Sequence, residues 1–239
     1  MERYGQIRVG RRKYARGGYT DPSFPGFTPV ICLTKSTAYG SLSPYVITDE
    51  KGRIMENIFQ YSKAYAQVPK STQTYSRYDH RVIWDHPAEI HVKDGALTDD
   101  YWNWRNKGMN CKDAVRYPVG FKHRHKCLYA LSDNNLEEKL DYINSRKEIY
   151  LPLYKECIQD LPQFLELQHR VQQGEHLLII EVDGPHEESM SYYKDKYGVN
   201  NDFIVTNTVL VTPENMEILL NDETHPFGHG YCLGLALLQ

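Results

Sequence analysis

The sequence predicts an α+β fold: a mainly helical single domain with a small sheet and a long central insertion. Three observations carry this reading. Residues 176–182 (His-Leu-Leu-Ile-Ile-Glu-Val) form an apolar run without alternation, the pattern of a strand buried on both faces. From residue 135 onward, apolar positions recur at helical spacing, punctuated by start and stop signals. Residues 67–130, by contrast, are polar and aromatic with weak periodicity. A chain of 239 residues suits one domain of generous size. It divides into a basic N-terminal arm (1–26) and a folded domain (27–239) that contains 67–130 as its insertion.

The elements follow in order. Residues 21–26 (Asp-Pro-Ser-Phe-Pro-Gly) read as a loop and 29–34 as a short β-branched strand. Turn chemistry at 49–52 makes 45–55 a hairpin, and a helix is expected from Met55 to Ala66, ending before Pro69. Within the insertion, Thr98 caps a helix near 98–107 that carries Tyr101, Trp102 and Trp104. Leu136, Leu140 and Ile143 mark a further helix, which Pro152 kinks or restarts. Pro162 opens the next, with Gly174 just past its end. Strand 176–182 comes after it. Thr212 and Pro213 then start another helix, and 231–239 is apolar nearly all round, as in a buried terminal helix.

Composition excludes several function classes. Lys and Arg total 28 against 31 Asp and Glu, a net charge of −3, so the chain is no bulk polyanion binder. The charge is uneven, however. Arg3, Arg8, Arg11, Arg12, Lys13 and Arg16 against Glu2 give +5 over residues 1–20 and leave −8 for the rest. With Tyr4, Tyr14 and Tyr19 interleaved, this arm is a candidate for following a nucleic-acid backbone or an acidic protein surface, or else is a solvated terminus. No apolar run approaches the ~20 residues needed to cross a bilayer, and no signal peptide is expected. The five cysteines (Cys32, Cys111, Cys127, Cys157 and Cys232) are scattered without a CxxC pair, which points to reduced thiols and a cytoplasmic setting.

Three segments are candidates for chemistry. Glu56, Gln60 and Lys63 lie at i, i+4 and i+7, one narrow stripe of the expected helix, with Ile58, Phe59, Tyr61 and Tyr65 on its other faces. The stripe is either a water-facing polar edge or part of a site. Asp183 ends the apolar strand, where a carboxylate meets a cleft or merely forms a turn. The glycine-rich stretch with Gly228 and Gly230 leads into the terminal helix, where backbone N–H groups can approach a phosphate or a hydroxyl-rich ligand. Its spacing fits neither GxGxxG after a strand nor GxxxxGK[ST].

Taken in order, these segments resemble the NADAR (YbiA-like) family. Residues 39–45 (Tyr-Gly-Ser-Leu-Ser-Pro-Tyr) stand where that family has an S-N-F loop. Glu56, Phe59, Gln60 and Lys63 match its E-H-x-F-Q-x-x-K helix, residues 173–181 its turn and L-I/V-E strand, and Gly230, Leu233 and Gly234 its closing G-x-N-x-L-G. Pro44 replaces the loop Asn, Asn57 the His after the acid and Tyr231 the Asn of the closing motif. Asp183 lacks the Trp that follows it in the family. The resemblance implies hydrolysis of an N-glycosidic ribosyl bond, in an ADP-ribosylated base or a riboflavin-pathway-type ribosylamine. Glu56 and Lys63 would be the catalytic groups; Gln60, Tyr45, Asp183, Gly228 and Gly230 would bind substrate, and no metal or other cofactor is implied. The alternative within the same fold is a catalytically silent nucleotide- or nucleic-acid-binding or interaction protein.

Two competing readings have their own residues. His86, Glu89 and His91 offer metal-type ligands, but in an extended chain His86 lies on the face opposite the other two. Arg116, Lys122, Arg124 and Lys126, together with the arm, favour nucleic acid, against an acidic remainder. A modified base within a nucleic acid would merge the two ideas, with the arm on the backbone and the flipped base in the cleft.

Overall fold

The structure, a computed structural model, describes residues 4–33 and 37–238. Arg3, Thr34 and Gln239, named above in the arm, the first strand and the terminal helix, lie outside them. The fold is mixed α+β, as expected. The chain divides into two compact units, Met1–Ser43 with Tyr154–Gln239, and Pro44–Leu153. These do not coincide with the expected division at residue 26.

The first unit is built on a four-stranded sheet in the order Thr208–Leu210, Ile7–Arg11, Leu177–Glu181, Thr28–Ile31. Leu177–Glu181 is buried throughout and pairs in parallel with strands on both sides, as its unbroken apolar run requires. Its side chains alternate between faces. Leu178 and Ile180 pack with Leu33, Phe24, Phe27 and Ile31. Ile179 and Glu181 point toward the terminal helix His229–Leu237, close to Gly230. That helix lies against Ile7–Arg11 and Leu177–Glu181. Pro162–Gln172 is the expected helix, with Gly174 at φ 88° beyond its end, and Thr212 caps Pro213–Leu220 through the Asn215 N–H at 3.1 Å.

The basic arm is therefore a correction. Residues 7–11 are an inner strand of this sheet, because Ile7 and Val9 are core residues flanked by arginines with local partners. Arg8 is buried; its Nε donates to Thr208 Oγ1 at 2.7 Å and its guanidinium stacks 4.1 Å from the Phe24 ring. Arg11 donates to the Gly184 carbonyl at 2.7 Å, Arg12 pairs with Asp21 at 2.8 Å and Lys13 pairs with Glu188. Arg16 sits at φ 52° in the exposed turn between Lys13–Ala15 and Gly18–Thr20. Four of the six bases expected to follow a phosphate backbone are spent within the fold.

The second unit contains Met55–Tyr61, a short helix with nearly every side chain buried, and the helix Asp99–Met109, capped by Thr98 as expected. Three antiparallel strands, Asn135–Leu140, Cys127–Ser132 and Lys63–Tyr65, form its main sheet. Trp84, Tyr61, Tyr65, Tyr101 and Trp104 fill its core, so the 67–130 stretch is folded structure that supplies aromatic packing. Two expected helices are corrected here. Residues 62–66 do not extend the helix from Met55: Ser62 Oγ turns back to the Phe59 carbonyl at 2.8 Å, and its own carbonyl accepts from Leu131 N at 2.9 Å, drawing the chain into the sheet. Residues 135–140 are a strand, because Asp133 and Asn134 form a two-residue hairpin turn between Ser132 and Asn135. Beyond it the chain is helical again without a break from Tyr142 to Ile158: a π-helical stretch, Arg146–Tyr150, precedes Pro152, and the expected restart at that proline does not occur. No helix among the described residues is long and apolar enough to cross a membrane.

Candidate functional site

In the Pro44–Leu153 unit, the helix Met55–Tyr61 and the strand that follows it bring Glu56, Gln60 and Lys63 into one chain of hydrogen bonds. Gln60 Nε2 donates to Glu56 Oε1 at 2.9 Å, and Lys63 Nζ donates to Gln60 Oε1 at 3.0 Å. A single amide thus bridges a carboxylate and an ammonium, and only this orientation of the amide satisfies both charges. The three groups stay together although Lys63 lies on a strand, one residue past the end of the helical turn. The stripe is not a water-facing edge: Glu56 is only 6% exposed. Lys63 Nζ also lies 4.5 Å from the centre of the Phe59 ring, which packs edge-on against Tyr150. Burial lowers the Lys63 pKa below its ordinary value, a shift that nearby Cys127 and Glu56 only partly offset.

Tyr45 lies in the turn that leads into this helix. The Pro44 carbonyl accepts from Glu56 N at 3.0 Å and the Ile47 carbonyl from Met55 N at 3.0 Å, so residues 44–47 are bound to the helix start. Asn57, which stands in place of the expected His, is buried. It ties the helix to residues 111–115: its Nδ2 donates to the Cys111 and Asp113 carbonyls at 3.1 and 3.0 Å, and its Oδ1 accepts from Val115 N at 2.8 Å.

Asp183, Gly228 and Gly230 belong to the other unit. Asp183 is in the turn after Leu177–Glu181, where its carbonyl accepts from Tyr231 Oη at 3.4 Å. The phosphate-facing role of the glycines is corrected, because the anion at the start of the terminal helix is the protein's own Glu181. Its Oε2 accepts from Gly230 N at 2.7 Å and its Oε1 from Val182 N at 2.7 Å. A β-carbon on Gly228 would come within 2.6 Å of the Glu181 carboxyl carbon, and one on Gly230 within 2.8 Å of Oε2. His229 stands beside this carboxylate at 3.7 Å and bonds the Cys32 carbonyl at 3.1 Å. Burial alone would lower its pKa, but the carboxylate and the carbonyl outweigh burial and raise it to about 10. Glu181 is the functional-looking group that the candidate set omits; its one sequence signal is an acid closing a fully apolar run.

The face argument against a shared histidine site is also corrected. A break at Pro87 and Ala88 between two strands lets both His86 and His91 reach Glu89 Oε2, at 2.7 and 3.3 Å. Both imidazoles address the carboxylate, and burial lowers the His91 pKa more than Glu89 raises it. No group of three metal-ligating side chains able to hold an ion occurs among the described residues. All five cysteines are free thiols.

No family model, no curated protein and no solved structure matches the chain.

Proposed function

We propose that the protein hydrolyses an N-glycosidic ribosyl bond, in a NADAR-like fold and a reducing, cytoplasmic setting. Its substrate is a ribosyl or ADP-ribosyl small molecule or a modified nucleobase. The reading rests on the Glu56–Gln60–Lys63 chain, a buried carboxylate coupled through one amide to an amine of lowered pKa. Cleavage of such a bond passes through an oxocarbenium-like state with positive charge on the ribose. The Glu56 carboxylate stabilises that charge or positions the attacking water. The Lys63 amine offers a second route, since burial favours the unprotonated nucleophile. It attacks C1′ and the base departs with the electrons of the C–N bond. Ring opening then gives a Schiff base, and water hydrolyses it to free sugar and amine. Tyr45, in the turn that leads into the same helix, is assigned to the ribose or the base.

Purified protein incubated with ADP-ribosylated guanosine and with ribosylamine-type pyrimidines tests this, with products read by mass spectrometry. Release of ADP-ribose or of free base is expected from one of the two classes. Intact substrates in both incubations would overturn the proposal.

A further inference from the structure

The Met1–Ser43 and Tyr154–Gln239 unit holds a second constellation, unrelated to ribosyl chemistry. Ser189 Oγ lies 3.0 Å from His225 Nε2, and His225 Nδ1 lies 2.6 Å from Asp222 Oδ2. The carboxylate accepts only, so Nδ1 carries the proton, and Nε2 of the neutral ring accepts from the Ser189 hydroxyl. These are the relations between a nucleophile, its base and the group that orients the base.

The surroundings fix each member. Asp222 is fully buried and accepts from Tyr192 Oη at 2.7 Å, from Tyr193 Oη and from Thr224 N at 2.9 Å. Burial works against its ionisation, but the bonds from His225, Tyr193, Tyr192 and Thr224 prevail and hold it well below the usual carboxylate range. The His225 ring stacks on Tyr193 with 5.4 Å between centroids. Ser189 closes the short turn Glu187–Ser189, which is clamped from outside. Glu187 N donates to Asn207 Oδ1 at 3.0 Å, while Glu187 Oε1 accepts from Thr206 N at 2.7 Å. Thr206 and Asn207 are both held at positive φ (50° and 56°), a strained arrangement for a β-branched residue. Ser189 directly precedes the helix Met190–Tyr197, whose dipole places partial positive charge beside the serine. Pro185, Tyr193, Pro226 and Phe227 pack closely beside Asp222 and His225, leaving no space the size of a water molecule between them.

We propose that Ser189, His225 and Asp222 form an acyl-transfer site for carboxylic esters. Ser189 Oγ bonds to the ester carbonyl carbon as its proton passes to His225 Nε2. The tetrahedral adduct collapses, the bond to the alcohol oxygen breaks, and the alcohol leaves with that proton. Water then attacks the acyl-serine and gives a proton to His225. The carboxylic acid departs as the proton returns to Ser189 Oγ.

The full chain treated with a fluorophosphonate probe tests this directly. Ser189 Oγ displaces fluoride at phosphorus, and the adduct is mapped by peptide mass spectrometry. An adduct on Ser189 is expected, forming at least about tenfold more slowly in His225→Gln, the low side of what a general base contributes. Circular dichroism verifies that the variant is folded, and Asp222→Asn gives a second, independently folded test of the same dependence. Absence of an adduct on Ser189 in the unaltered protein, or formation within tenfold of its rate in both folded variants, would overturn the proposal. Neither result bears on ribosyl hydrolysis, which rests on residues of the other unit.

Discussion

Lys63 and His229 are cations withdrawn from water whose pKa values move in opposite directions. Lys63 donates to a neutral amide oxygen, and the loss of hydration prevails. His229 has the Glu181 carboxylate beside it, and the pair outweighs the same loss. The two shifts have opposite consequences for stability. The His229 pKa is near 10 in the folded chain against 6.5 ordinarily, so its contribution is complete below pH 6.5 and is lost as pH rises to about 10. Lys63, lowered from 10.5, adds stability as pH rises through the window between its folded value and 10.5. The melting temperature is therefore expected to fall more steeply from pH 6.5 to 10 in the unaltered protein than in His229→Gln, and equal slopes would refute the pairing. Glu181→Gln removes one partner of a buried pair and is expected to cost about 3–5 kcal/mol in denaturant unfolding. It should also bring the His229 pKa down in an NMR titration; an unmoved pKa would refute the Glu181 contribution.

At the scale of elements, local chemistry was legible and long-range competition was not. Thr98, Thr212 with Pro213, and Pro162 with Gly174 mark helix ends because a cap needs only its own neighbours in sequence. The helix from Met55 ends early because Leu131, nearly seventy positions away, claims the Ser62 carbonyl. Leu136 and Leu140 mimic a helical repeat, yet Leu136 is 47% exposed beside the hairpin turn and only Leu140, at the far end of the strand, is buried. Packing between elements makes a further prediction. A β-carbon on Gly108, within Asp99–Met109, would lie 1.9 Å from the ring of fully buried Tyr61. Gly108→Ala is expected to destabilise the chain by about 1–3 kcal/mol in denaturant unfolding, despite the better helix propensity of alanine. A stabilised variant would contradict that packing.

Across the whole molecule, the mixed α+β class and the buried strand were legible in one apolar run, whereas the use of the N-terminal bases was not. Composition sees the charges at Arg8, Arg11, Arg12 and Lys13 but not Thr208, Gly184, Asp21 and Glu188, which partner them in the folded chain. The candidate site was half legible. Spacing found Glu56, Gln60 and Lys63, since all three lie within eight residues. It missed Glu181, and it missed Ser189 with His225, because thirty-six positions separate the latter pair in sequence and only the fold brings them together.

In the proposed reaction a carboxylate and an amine bridged by Gln60 perform the ribosyl chemistry. Turnover of whichever ribosyl substrate the protein accepts, compared among the unaltered chain, Glu56→Gln and Lys63→Met, tests it most directly once the folded state of each is verified by circular dichroism. Both substitutions keep side-chain size while removing one charge. Each substitution is expected to lower kcat by about 100-fold or more. Turnover at the unaltered rate in both folded variants would contradict it.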